Sequence, residues 1–125
     1  ITDVLEYGEH CKKQGLNLLT GPGNDIVSTT NLTAAGANII LFTTGRGTPL
    51  GASVPTIKVA SNSRLAKRKS NWIDFNAGEL IVSNDFENMT EEIFKLLIDI
   101  ASGRQTKNEQ NGYRDISIFK DGVIM

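Results

Sequence analysis

The sequence has few of the residues that form metal centres and nucleophilic sites. Its 125 residues include one cysteine, Cys11, and one histidine, His10. A single cysteine excludes an internal disulfide and is typical of a protein kept in a reducing cytoplasm. A closed zinc site of Cys and His ligands cannot be formed from this pair, and a Ser-His-Asp triad would depend on one imidazole in a polar segment. We therefore interpret His10 as a surface residue.

Long apolar runs and an excess of one charge are also missing. No apolar segment is long enough to cross a bilayer, and no signal-peptide pattern opens the chain. Lys and Arg number 13 against 14 Asp and Glu, so the formal net charge is −1. No basic stripe is interleaved with aromatic residues, which argues against a nucleic-acid partner. The densest cationic run, residues 64–69, is interpreted as a solvated helix face. These features predict a cytoplasmic protein without a membrane or nucleic-acid partner.

Nucleotide-binding motifs are incomplete. Gly21-Pro22-Gly23 provides two glycines of the dinucleotide fingerprint, but Ile26 occupies the place of the third. No G-K-[ST] sequence of a phosphate-binding loop occurs. Binding of a dinucleotide or a nucleoside triphosphate is therefore disfavoured.

The pattern of apolar segments predicts one α/β domain over residues 1–125, a three-layer Rossmann-like domain with a mainly parallel sheet. Residues 16–19, 38–43 and 56–60 are expected to be adjacent strands, with helices that begin near Asn24 and Asn88 packed on the sheet. Residues 61–63 are expected to cap a short helix. Because the chain begins at Ile1 rather than Met, we expect it to be part of a longer protein.

The remaining segments are predicted from local signals. Residues 2–7 suggest a helical turn, residues 72–78 a strand or an extended loop, and residues 104–112 a polar, mobile segment. Residues 88–91 resemble a capping box ahead of a helix with two apolar stripes, which predicts packing on more than one side. Residues 116–119 are expected to form an edge strand.

The segment ANIILFTTGRGTPLG, residues 37–51, is the most informative part of the chain. Its apolar run does not alternate with polar residues, which predicts a strand buried on both faces, with Phe42 in the core. The glycines that follow allow a ligand to approach the backbone, and Arg46 offers a planar fork of donors to a carboxylate or phosphate. We expect Arg46 to be exposed and to bind an anion. A polar turn whose glycines only reverse the chain, or a buried salt bridge of Arg46, are the structural alternatives.

Three loops follow three predicted parallel strands and should meet at one edge of the sheet. Backbone amides there favour anions, and hydroxyl and amide side chains suit a polyhydroxylated ligand. Asp25 could be a general base or metal ligand, or only a helix cap, and Asp74 with Asn76 could be a site pair or a polar turn. The predicted substrate-binding residues are Asn24, Asp25, Thr43, Thr44, Gly45, Arg46, Gly47, Thr48 and Asn62.

The segments GPGNDIVSTTNLTAAGANIILFTTGRGTPLG, VPTIKVASNSRLAKRK and WIDFNAGEL resemble the C-terminal part of the altronate dehydratase/galactarate dehydratase family. The resemblance covers residues 18–80, and ISIFKDG at residues 116–122 is similar to that family's C-terminus. It implies a hydro-lyase that converts hexonic or hexaric acids into 2-keto-3-deoxy sugar acids. A β-elimination with another leaving group is implied as an alternative, because a sulfolactate sulfo-lyase is related.

The resemblance also implies the cofactor and the partners. It implies a divalent metal, Fe²⁺, bound mainly outside this chain, where the catalytic base would also lie, so that the chain alone would be inactive. Arg46 and the hydroxyls of Thr43 and Thr44 would hold the substrate, and Asn24, Asp25 and Asn62 would orient it. The expected partners are the sugar acid, the other domains of the same enzyme and, as an open possibility, further copies in a homo-oligomer. A non-catalytic α/β module for assembly or small-anion binding remains the alternative function.

Overall fold

The computed structural model, which describes residues 1–118, contains both strands and helices. In that part of the chain there are five strands and five α-helices. The strands are β1 (Asp3–Leu5), β2 (Asn17–Leu19), β3 (Ile40–Thr44), β4 (Thr56–Ala60) and β5 (Phe75–Asn76). The helices are α1 (Asp25–Ala34), α2 (Ser63–Arg68), α3 (Leu80–Ser83), α4 (Phe86–Ala101) and α5 (Lys107–Gln110), with a 3₁₀ turn at Ala77–Glu79. No helix of residues 1–118 is long and apolar enough to span a membrane.

All strand pairs of the described chain are parallel. β3, β4 and β5 form one sheet with β4 in the centre, and β1 and β2 form a second, two-stranded sheet. The α/β class with parallel sheets and the adjacent strands β3 and β4 are therefore confirmed. The expectation that residues 16–19 pair with residues 38–43 is wrong, because β2 pairs with β1.

β1 replaces the helical turn predicted for residues 2–7. The backbone N–H of Thr2 donates to the carbonyl of Leu16, and that of Thr20 donates to the carbonyl of Leu5. These bonds continue the β1–β2 ladder at both ends. Residues 2–5 therefore adopt a strand conformation because they pair with residues 16–20, outside the local sequence pattern. A local pattern in a three-residue strand could not reveal such a partner.

β4 is the core of the larger sheet, since all five of its residues are buried. Side chains of a strand alternate between faces. Ile57 and Val59 pack against α4 through Ile93, Leu96, Leu97 and Ile100, while Ala60 packs on Leu65 of α2 on the opposite face. Helices thus lie on both sides of this sheet, which gives the three layers that the sequence predicts.

α4 packs on one side only within residues 1–118. Its first stripe, Ile93 to Ile100, faces the core as predicted, but Phe94 is 62% exposed and Ile98 49% exposed. The helix begins at Phe86 because the Asp85 carboxylate accepts the N–H of Asn88 at 3.1 Å. The capping box predicted at residues 88–91 therefore lies inside the helix.

The segment predicted to be polar and mobile contains a short helix. Thr106 and Glu109 form a capping box at the start of α5. Asn108 is buried, and its amide donates to the Thr56 carbonyl at 3.1 Å. This bond joins α5 to β4, which allows a polar side chain to be buried in this segment.

The edge strand predicted at residues 116–119 lies partly outside the described residues. Residues 116–118 have no regular secondary structure, and the Ser117 N–H donates to Thr30 Oγ1 of α1 at 3.1 Å. Phe119 is beyond the described part of the chain.

Candidate functional site

The loop that follows β3 is folded around Gly47. The hydroxyl of Thr44, the last residue of β3, accepts the Gly47 N–H at 2.9 Å and closes the turn over Arg46. Gly47 has a φ of +81°, and a Cβ there would lie 2.9 Å from Cδ1 of Leu65. The backbone conformation therefore favours glycine at this position, and a Cβ would also require the Leu65 side chain to shift.

Asn62 connects this loop to the next one. Its side-chain oxygen accepts the N–H of Leu65 at 2.9 Å and caps α2, as the sequence predicts. Its amide nitrogen donates to the carbonyl of Gly45 at 3.1 Å. One side chain thus holds the carboxyl ends of β3 and β4 together, which brings two of the three predicted loops to one edge.

Arg46 projects from the turn and is exposed, as predicted. Its guanidinium forms no hydrogen bond or ion pair within residues 1–118. The alternative of a buried salt bridge is therefore not met in the described part of the chain.

Two grooves flank Arg46. The first, which we call the Asp25 groove, has a volume of about 460 Å³ and is lined by Asp25, Phe42, Thr43, Thr44, Gly45, Arg46, Gly47 and Thr48. The second, the α2 groove, has a volume of about 520 Å³ and is lined by Gly45, Arg46, Asn62, Arg64, Leu65, Arg68 and Lys69. Arg46 and Gly45 belong to both grooves.

The structure brings most of the predicted site residues to this edge. Asp25, at the first turn of α1, lines the same groove as residues 43–48, although α1 follows a strand of the other sheet. Asn24 lines neither groove; its side-chain oxygen caps α1 by accepting the N–H groups of Ile26 and Val27 at 3.2 and 3.3 Å. The ligand-binding roles of these residues remain predictions.

Lys58, the middle residue of β4, lies beneath the Arg46 loop and was missed by the sequence analysis. Its side chain is fully buried, its ammonium donates to the carbonyl of Thr48, and its Nζ lies 5.5 Å from the centroid of the Phe42 ring. The ammonium thus supports the loop from below. The only signal in the sequence is one charged residue within a run of β-branched residues.

Burial lowers the pKa of Lys58 to about 8, because removal from water disfavours the charged form. The charges of Asp74, Asp115 and Asp25 act in the opposite direction, and Lys69 lowers the pKa further. The Lys58 ammonium therefore loses its proton closer to neutral pH than an ordinary lysine does.

Phe42 and its strand are less buried than predicted. Phe42 is half-buried over Lys58, Leu41 is 50% exposed, and Thr43 is exposed. The prediction of a strand covered on both faces is wrong for β3, because α4 covers β4 and does not extend over Leu41 and Thr43.

Asp74 and Asn76 have structural partners. The Asp74 carboxylate accepts the backbone N–H groups of Lys58 and Lys107, each at 2.8 Å. Asn76 caps the 3₁₀ turn by accepting the Gly78 N–H at 3.2 Å. Their hydrogen bonds favour the structural interpretation over a site pair.

The donors at this edge do not fit a divalent metal by themselves. Among residues 1–118, Asp25 is the one carboxylate that lines either groove. Within residues 1–118 no three His, Cys, Asp or Glu side chains are grouped closely enough to hold a metal ion. The arrangement can bind and orient an anion with hydroxyl groups, through Arg46, the threonine hydroxyls and backbone amides.

Comparison with known proteins gives consistent matches over the whole chain. A family model described as "D-galactarate/Altronate dehydratase, C-terminal" matches residues 1–124. Altronate dehydratases of Escherichia coli (strain K12) and Bacillus subtilis (strain 168) are 50% and 49% identical, over all of this chain and 25% of each relative. The galactarate dehydratase (L-threo-forming) of E. coli K12 is 36% identical over 99% of this chain and 24% of the relative. The chain spans about a quarter of the length of these relatives.

Proposed function

Because this chain belongs to the D-galactarate/altronate dehydratase family and matches its C-terminal region, we propose that it is the C-terminal domain of a sugar-acid dehydratase. The reaction would convert a hexonic or hexaric acid of the altronate or galactarate type into a 2-keto-3-deoxy sugar acid. The observation that supports this function best is Arg46, an exposed guanidinium without a partner in residues 1–118, held by a glycine turn between two grooves.

In this proposal, the chain binds and orients the substrate. Dehydration moves the C2 proton to a base, breaks the C3–O bond and releases water, and the enol product then becomes the 2-keto acid. Arg46 would pair with the carboxylate next to C2, where negative charge grows as the proton leaves. The hydroxyls of Thr43 and Thr44 and the carboxylate of Asp25 would hold the sugar hydroxyls in the Asp25 groove.

The other requirements of the reaction belong to the rest of the enzyme. We propose that the base and the ligands of a divalent metal, Fe²⁺ by resemblance, come from other domains, because the described residues offer a single carboxylate at this edge. The enzyme would act in the cytoplasm. The chain alone would then bind sugar acids weakly and would not turn them over.

A chimeric enzyme tests this function directly. The matching part of the E. coli altronate dehydratase, 50% identical, is replaced by this chain, and dehydration of altronate and galactarate is measured. We expect activity on one of these acids. Arg46→Lys in the chimera should lower kcat/KM about tenfold or more, equivalent to about 1.4 kcal/mol of transition-state stabilisation, because lysine keeps the charge but loses the bidentate geometry.

The melting temperature should change little, since Arg46 is exposed. Arg104→Lys, at an exposed ion pair with Asp99, is the matched control and should leave the kinetics unchanged. Parental kinetics in Arg46→Lys, or a loss of stability with substrate binding intact, would favour the alternative of a non-catalytic assembly module.

A further inference from the structure

The α2 groove concentrates positive charge in a chain whose formal net charge is −1. Four of its lining residues are cations, namely Arg46 from the β3 loop and Arg64, Arg68 and Lys69 from α2 and the residue after it. Arg64 and Arg68 are exposed, so their guanidinium groups are free to reach a ligand in the groove.

None of these four cations is neutralised by the described protein. Within residues 1–118 the ion pairs are Lys13–Asp3 and Arg104–Asp99, both away from this groove. Arg64 and Arg68 stand four residues apart on one short helix, where like charges repel. Arg64 also lies in the first turn, where a positive charge opposes the helix dipole. This arrangement is unfavourable for α2 by itself, and a bound anion would relieve the repulsion.

The walls of the groove are held in place by several contacts. Asn62 bonds to both the Gly45 carbonyl and the Leu65 N–H, and the Lys69 stem would lie 3.2 Å from a Cβ at Gly47. The Lys69 ammonium lies over the ring of Trp72, 4.1 Å from its centroid. The cations therefore project from a fixed frame, which lowers the entropy lost on binding.

We propose that the α2 groove is a binding site for a compact oxyanion, a phosphate or carboxylate group, distinct from the Asp25 groove where the sugar acid is placed above. Guanidinium forks match the paired oxygens of both groups. These four cations are grouped around one small groove of a chain with little net charge, which fits a small anion better than a long polyanion such as nucleic acid. This inference goes beyond the dehydratase function and does not depend on it.

The test uses the 125-residue chain and inorganic phosphate as the probe. Binding is followed by amide chemical shifts in NMR at constant ionic strength, with chloride as the exchanged anion. We expect saturable binding at millimolar phosphate, with the largest shifts at Leu65 and Lys69, which line the α2 groove and not the Asp25 groove. Arg64→Gln/Arg68→Gln should weaken it about tenfold or more, because two charge-assisted contacts are lost. A parallel titration with acetate, followed at Leu65, distinguishes a phosphate source from a carboxylate source, because Leu65 lines the α2 groove and not the Asp25 groove.

The matched control removes the same charge elsewhere. Lys12→Gln/Lys95→Gln changes two exposed lysines outside the groove and should alter the affinity less than about twofold. The amide spectra show at the same time that both variants are folded. If both double variants weaken binding equally, the anion responds to overall charge and the proposal is wrong. Absence of saturation with either anion would also overturn it. Arg46 is unchanged in every variant, so the result is independent of the chimera experiment.

Discussion

β3 and β4 run side by side in parallel, yet their sequences and their burial are opposed. β3 begins with Ile40, Leu41 and Phe42, but Leu41 is 50% exposed. β4 carries a lysine at its centre, but every residue is buried. In the ladder Leu41 pairs with Ile57, and Phe42 pairs with Lys58. The two residues of each pair lie on the same face of the sheet, so their burial can be compared directly.

The difference shows that coverage by helices, and not the apolarity of a strand, determines burial here. α4 lies over Ile57 and Val59, and α2 and α5 cover the other face of β4. Among the described strands β3 lies at the edge of the sheet, and within residues 1–118 Leu41 and Thr43 on one of its faces are exposed. The central strand therefore anchors the domain, and the edge strand carries the loop that is available to a ligand.

The largest effect that would test this comparison is expected from a pair of alanine substitutions. Ile57→Ala removes a fully buried side chain and should lower the free energy of unfolding by about 2–5 kcal/mol. Leu41→Ala, at the ladder neighbour, should lower it by less than about 1 kcal/mol because that side chain remains half in water. Urea denaturation of both variants measures the difference. Similar losses would mean that the two strands are equally buried in solution.

The next effect concerns the charge in the buried strand. The pKa of Lys58 is lowered to about 8 in the folded chain from 10.5, so the unfolded state binds more protons between these values. Burial of the charged ammonium destabilises the folded state fully below pH 8 and no longer does so above pH 10.5, where the group is neutral in both states. The free energy of unfolding should therefore rise between these pH values by up to ~3 kcal/mol.

Lys58→Met should remove this rise, whereas Lys95→Met, on the exposed surface of α4, should keep it. Urea denaturation at several pH values measures the slope for each protein. If the free energy of unfolding rises equally with pH in Lys58→Met and in the parent, the ammonium is hydrated and β4 is not fully buried in solution.

The smallest effect concerns the side chain that joins the two strand ends. Asn62→Ala loses the cap of α2 and the bond to Gly45, and should lower the free energy of unfolding by ~1–2 kcal/mol. Asn62→Asp keeps the capping oxygen but loses the donor, so about half of the loss should remain. Thermal or urea denaturation separates the two contributions, and equal losses in both variants would assign the whole effect to the bond between the loops.

Patterns that are local in sequence predicted their structures correctly. The start of α1 near Asn24, the cap of α2 at residues 61–63 and the exposed Arg46 turn each depend on residues a few positions apart. The features that were missed depend on distant partners. β1 requires the ladder with β2, and α5 requires the bond from Asn108 to Thr56, 52 residues away. Lys58 was missed because its burial depends on helices that pack over β4, while its own side chain predicts exposure.

Spacing along the chain gives the parallel ladders a consequence for the order of folding. Ile40 pairs with Thr56 and Val59 with Phe75, each sixteen positions apart, and Asp3 pairs with Asn17, fourteen apart. These separations exceed the reach of a local sequence pattern, but the loops they close are of moderate size, so the entropy lost at each step is modest and the sheet can grow strand by strand from residue 40 to residue 76. The Arg46 turn lies within the first of these closures. Its glycines therefore have a second consequence, because the chain must turn back there before β4 can align with β3.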